Sequence, residues 1–156
     1  MRSLFTILLL LMTFAVKSQG ELQVHSFESL DSLQQQEQRP VLVFIHTDWC
    51  KFCKAMKARV FTDEKVQATL DNEFYFVMLD GESRAPIKFR GHTFNFRPTG
   101  NNVGVHELAE AIGTIEGKLE YPTLVVMNST YEILFQHAAF LNKKQLLRVL
   151  SRVEGQ

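Results

Sequence analysis

The chain has 156 residues, 46% of them hydrophobic and 13 of them Phe, with 17 Lys+Arg set against 17 Asp+Glu. That length is enough for one domain with its own core, and that composition excludes a disordered chain. The balanced charge leaves no basic excess for gripping nucleic acid or an anionic membrane surface.

Arg2, the apolar run Leu4 to Val16 and the small residues up to Ser18 read as a secretory signal peptide cut near Ser18–Gln19. The run is shorter than the ~20 apolar residues that a spanning helix needs. Residues 1–18 are therefore expected to be removed, leaving one domain over 19–156 with no stable membrane insertion. Export implies the periplasm or the extracellular space, and of these we expect the periplasm. That setting permits structural disulfides, yet the chain holds only two cysteines, Cys50 and Cys53.

Leu22 to Phe27 alternates weakly and suggests a short edge strand. Phe27, Leu30 and Leu33 are spaced for an amphipathic helix to about Gln36, which Arg39-Pro40 stops. Val41 to Ile45 is an apolar, largely β-branched run and predicts a buried central strand. After Cys50 the period changes, and Phe52, Cys53, Met56, Val60 and Phe61 fall near a helical spacing. Thr62-Asp63 begins another helix, with Val66 and Leu70 inward. Glu73 to Asp80 is apolar on both faces and predicts a second central strand, parallel to the first across a right-handed crossover.

About residues 81–120 exceed what one connecting helix needs and read as an insertion. Ile87-Lys88-Phe89 and Phe94-Asn95-Phe96 predict a hairpin around Arg90-Gly91-His92. Pro98 to Asn102 predicts a loop, and Gly104 to Ile112 a helix with Val105, Leu108, Ala109 and Ile112 inward. The phenylalanines are expected to cover the core, with partner docking by the hairpin as the alternative. Thr123 to Met127 predicts a strand, Asn128-Ser129-Thr130 a turn and Tyr131 to Gln136 its antiparallel return. Asn142 should cap a last helix whose Leu146, Val149, Leu150 and Val153 pack inward, with fraying from Ser151.

The chemistry is concentrated in Trp49-Cys50-Lys51-Phe52-Cys53. Two thiols three apart at a helix start can bond across one turn. The first faces unpaired backbone N–H groups and the positive end of the helix dipole, which favours the reactive thiolate. Cys50 is thus the candidate nucleophile, expected to be exposed, and Cys53 the resolving thiol. A zinc site would need more ligands than one Cys pair, and the sequence offers no second pair or His pair at ligand spacing. Haem attachment would need His where Lys54 stands. A structural disulfide over so small a loop would stabilise little. Lys51 is either a charge that helps hold the thiolate or a solvated lysine. His25, His92, His106 and His137 carry no assigned role.

An apolar strand leading into Trp-Cys-x-x-Cys resembles the thioredoxin superfamily, in particular periplasmic thioredoxin-like domains such as the C-terminal domain of DsbD. The resemblance runs from about Arg39 to Leu70 and resumes at Tyr121. It implies an α/β fold, a central mixed sheet flanked by helices, with the inserted hairpin and helix placed before a cis-proline. The proline that matches is Pro122, which would lie against the reactive thiol. The backbone of Tyr121 would then pair with substrate as an added strand, and Trp49, Lys51, Phe52, Tyr121 and Pro122 would form the substrate groove. It also implies thiol–disulfide exchange with a protein disulfide or dithiol, an upstream redox partner and no cofactor or metal. Two departures leave the direction open. Lys51-Phe52 matches the intervening pair of neither thioredoxin nor the oxidant DsbA. Phe44 occupies the place where reducing relatives carry a buried acid, and Asp48 and His46 are the nearest polar substitutes. Reduction of protein disulfides is the expectation. Oxidase or isomerase action, and a binding module with a vestigial Cys pair, are the alternatives.

Overall fold

The computed structural model describes residues 21–153; the signal-peptide reading of residues 1–18 lies outside them. The elements are α1 (Phe27–Gln36), β1 (Val41–His46), α2 (Lys51–Arg59), α3 (Glu64–Glu73), β2 (Tyr75–Asp80), β3 (Ile87–Phe89), β4 (His92–Phe94), β5 (Phe96–Gly100), β6 (Val103–His106), α4 (Glu107–Gly113), β7 (Thr123–Met127), β8 (Ile133–His137) and α5 (Lys143–Val153). The main sheet runs β2-β1-β7-β8. β1 and β2 are parallel, whereas β7 pairs antiparallel with both β1 and β8. This is the expected α/β architecture with a mixed sheet.

All six residues of β1 are buried, because the strand is central and covered on both faces. Its alternation splits the core in two. Leu42 and Phe44 pack with Cys53, Met56, Val66, Leu70, Leu146 and Leu150 under α2, α3 and α5. Val41, Val43 and Ile45 pack with Phe27, Leu30, Leu108, Ala109 and Ile112 under α1 and α4.

The helix ends follow local chemistry. Asp63 caps α3 by accepting from the N–H groups of Lys65 and Val66. Asn142 caps α5 by accepting from Gln145 N, while Gln145 Oε1 accepts from Asn142 N, a reciprocal capping box. α5 continues through Ser151 and Arg152 to Val153, whose burial against the core holds the last turn where fraying was expected.

The inserted segment differs most from expectation. β3 and β4 pair as Ile87↔Phe94 and Phe89↔His92, so His92 belongs to a strand and the turn is Arg90-Gly91 alone. Both turn residues have positive φ, 51° and 73°, the conformation a two-residue hairpin demands and glycine accepts freely. Pro98 to Asn102 is not a loop: β5 and β6 form a second hairpin closed by Asn101-Asn102. The helix accordingly starts at Glu107, and Val105 lies in β6. Gly104 sits against the Phe96 ring across that hairpin, a close approach that a Cβ would block. At the N-terminus the expected edge strand reduces to one parallel bridge, His25 with Val77. β8 begins at Ile133 because Tyr131 takes a positive φ of 68° in the turn.

Candidate active site

β1 ends at His46, and the chain turns through Thr47-Asp48-Trp49 into α2. Thr47 O accepts from Cys50 N at 3.4 Å, which closes the turn and leaves Cys50 as the cap of the helix. Its Sγ accepts from Cys53 N at 3.0 Å. The sulfur is thus aimed at the N–H groups that a helix start leaves unpaired, the environment that stabilises negative charge. Cys50 and Cys53 form a disulfide, with Cα atoms 5.2 Å apart.

The expected exposure of Cys50 is not found. Its residual exposure is 4%, and Cys53 is buried, because both sulfurs join the core cluster beneath α2. The exposed side chains are their neighbours, Trp49 at 63% and Phe52 at 64%. Phe52 therefore does not share the inner face of α2 with Cys53 and Met56. It stands out beside Phe140, with ring centroids 6.4 Å apart. Lys51 and Asp48 are also exposed, which leaves Asp48 a solvated turn residue. The disulfide is recessed among exposed aromatics on the surface rather than set in a deep cavity. A depression of about 490 Å³ lined by Arg39, Pro40, Asn72 and Asn128 lies at the opposite end of β1.

The Tyr121–Pro122 peptide is cis, as the resemblance implied, and Pro122 is buried. Tyr121 lies edge-on to Trp49, with centroids 5.8 Å apart, so the proline segment stands beside the active-site turn. Burial pushes the Tyr121 phenol up to about 12, with the carboxylates of Glu82, Asp80 and Glu110 adding to the shift; it stays protonated at neutral pH.

Three residues of this neighbourhood escaped sequence reasoning. Glu82 Oε1 accepts from Trp49 Nε1 at 3.1 Å and fixes the exposed indole. Gly81 lies against the Tyr121 ring so closely that a Cβ would collide with it. Gly81 also donates from its N–H to His46 O at 2.8 Å and accepts from His106 N at 2.7 Å. Lys57 Nζ lies 3.1 Å from His46 Nδ1 and 3.3 Å from Nε2. His46 is buried and stacks on Phe44 at 5.6 Å. Its pKa is lowered, first by burial and then by the Lys57 charge, so the imidazole is neutral, with the ammonium lying against the ring and nearly equidistant from its two nitrogens. Only the Lys57 contact left a trace in the sequence: β1 alternation places His46 on the Phe44 face, and Lys57 follows Cys53 by one turn.

His106 has a structural task. Its Nδ1 accepts from Leu108 N at 3.2 Å and caps α4, and its Nε2 lies 3.1 Å from Ala85 O. It pins the end of the second hairpin to the start of the inserted segment.

Residues 27–128 match a family model described as thioredoxin-like. Among solved structures, a DsbH oxidoreductase is 16% identical, with 88% of each chain covered and a TM-score of 0.60. A thioredoxin from Thermus thermophilus is 19% identical, covering 86% of this chain and 88% of its own, with a TM-score of 0.60. The C-terminal domain of Neisseria meningitidis DsbD in the reduced form is 17% identical, covering 80% and 90%, with a TM-score of 0.54. At these identities the likeness is one of fold. No curated protein matches the chain.

Proposed function

This chain belongs to the thioredoxin-like family and has the paired cysteines of a thiol–disulfide oxidoreductase; from that premise we propose that it reduces protein disulfides in the periplasm. The observation that carries the reading is Cys50 Sγ, bonded to Cys53 while it accepts from Cys53 N in the first turn of α2, in a chain with a cis Tyr121–Pro122 bond. When the pair is reduced, the same N–H and the helix dipole favour the Cys50 thiolate. That thiolate attacks one sulfur of a substrate disulfide and expels the other. Cys53 then attacks Cys50, the substrate leaves as a dithiol and the enzyme disulfide returns. Electrons move from thiol to thiol, and an upstream dithiol protein recharges the pair.

Trp49, Phe52 and Tyr121 offer an apolar rim to the residues flanking a substrate cysteine. Lys51 adds charge at its edge, and the backbone at Tyr121 and Pro122 is the edge on which an extended substrate segment pairs. The leader over residues 1–18 delivers the domain over 19–156 to the oxidising side. No helix among the described residues is long and apolar enough to cross a membrane.

Insulin reduction driven by dithiothreitol tests the proposal. The wild type should accelerate it and Cys50→Ser should fall to the uncatalysed rate; equal activity in the two leaves only a binding module. Cys53→Ser should accumulate a mixed disulfide that names the substrate. Oxidation is the second reading, favoured by the fully buried Phe44 where reducing relatives place an acid. A reduction potential near about −270 mV supports the reductant and one near about −120 mV the oxidant.

A further inference from the structure

A buried resolving thiol must lose a proton before it can attack, yet no Asp or Glu is buried among the described residues, and Phe44 shares the core cluster with Cys53. One turn further along the same face of α2 stands Lys57, whose ammonium reaches His46 at the end of β1. Cys53, Met56 and Lys57 share one face of α2, which Val60 continues at the C-cap, and Cys53, Met56 and Val60 are buried while Lys57 is half-buried. Residues four apart on a helix are neighbours, with Cβ atoms about 5–6 Å apart. Helical side chains also lean toward the N-terminus, so the Lys57 stem runs back over the Cys53 turn. Its ammonium is not left to wander, because the His46 ring, clamped on Phe44, receives it at 3.1 Å.

We propose that Lys57, held by His46, supplies a fixed positive charge to the Cys53 sulfur and so prepares the second thiol for attack without a buried carboxylate. This rests on the thiol–disulfide reading above and makes Lys57 and His46 positioning residues. In the mixed disulfide the Cys53 thiol gives its proton to solvent, and the Lys57 charge stabilises the thiolate that remains. The thiolate electron pair forms the Cys50–Cys53 bond while the bond between Cys50 and the substrate sulfur breaks. The substrate departs as a thiolate and takes a proton from solvent, so the dithiol enzyme ends oxidised and the substrate disulfide ends reduced. Asp80 at the end of β2 and Asp48 in the active-site turn also act on His46. Their negative charges oppose the ammonium and limit the effect to the lower end of the range for a close opposite charge, about one pH unit.

That shift has a modest kinetic consequence. Removing the charge lowers the Cys53 thiolate fraction about tenfold. The more basic thiolate is intrinsically about threefold more nucleophilic, so resolution slows only about threefold at neutral pH. The titration is therefore the sharper readout. In a Cys50→Ser background Cys53 titrates alone, and its thiolate is followed by ultraviolet absorbance and by iodoacetamide rate against pH. Lys57→Met should raise the Cys53 pKa by about one unit, and Lys57→Arg, which keeps the charge, should leave it in place. No rise with Met, or an equal rise with Arg, overturns the proposal. If Lys57→Met does not fold, His46→Leu carries the same test: releasing the ammonium should raise the Cys53 pKa, and an unmoved titration overturns the proposal. Insulin reduction by the wild type is scored separately, so an inactive enzyme and an unmoved Cys53 titration are distinct failures.

Discussion

Helix α2 and the inserted segment over 81–120 start at the ends of two neighbouring parallel strands, β1 and β2, yet different forces hold them. α2 is fixed from beneath, with Cys53, Met56 and Val60 in the core cluster shared with Phe44 and Leu146. The insertion spreads over the surface as two short hairpins. It is secured by Phe89, Leu108, Ala109 and Ile112 on the opposite face, by the buried His106 and by the exposed Arg97–Glu110 pair. The segments meet at Gly81 and Glu82, which contact Tyr121 and Trp49. A reactive pair needs an immobile base, because a small displacement of a reacting sulfur is costly. A segment away from the reacting sulfurs can rest on less.

Substitutions on either side of that contrast should separate in size. Phe44→Ala should cost the most, about 3–5 kcal/mol in chemical denaturation, because its site is enclosed on every side. Phe96→Ala in the second hairpin should cost about 1 kcal/mol: the ring is only partly buried, between Gly104 and the Arg84 guanidinium 4.7 Å from its centroid. Equal costs for the two would erase the distinction. Gly81→Ala falls between them at about 1–3 kcal/mol, since the new methyl overlaps the Tyr121 ring. It should also slow insulin reduction by displacing Tyr121, and a fully active Gly81→Ala would show that the junction does not shape the groove.

Acid should act on the α2 side. The His46 pKa is lowered from 6.5 by burial and by Lys57, so the unfolded chain binds a proton that the folded chain resists. Stability is then present above about pH 6.5 and declines as pH falls through the folded pKa. His25, lowered chiefly by burial, contributes in the same sense. His46→Leu should flatten part of the slope between neutral pH and the carboxylate range, and urea titrations at pH 7.5 and 5.5 measure it. The smallest expected effect is Glu82→Gln, which leaves stability within about 0.5 kcal/mol but loosens the indole. KM for a protein disulfide should rise a few-fold with kcat little changed; a change in kcat alone would argue against a role for Trp49 in docking.

Much of the fold was legible because it is written locally. The β1 run, the cap residues Asp63 and Asn142 and the Cys50–Cys53 spacing each depend on neighbours within one turn or one strand. The insertion was misread where pairing, not composition, decides. Pro98-Thr99-Gly100 has the residues of a loop, but Val103 to His106 lies opposite and supplies the ladder. Gly104 looked like a helix start, whereas its lack of a side chain lets the Phe96 ring pack across the hairpin.

The sequence alone determined that two thiols share a helix start after a buried strand, since four residues and a dipole are enough to set that chemistry. Only the tertiary structure decided what surrounds them. It brought Glu82 to Trp49 across 33 positions, recessed Cys50 below its aromatic neighbours and delivered Lys57 to His46. These contacts join residues on different elements, and their geometry exists only once the strands have chosen partners and the helices have packed on the sheet.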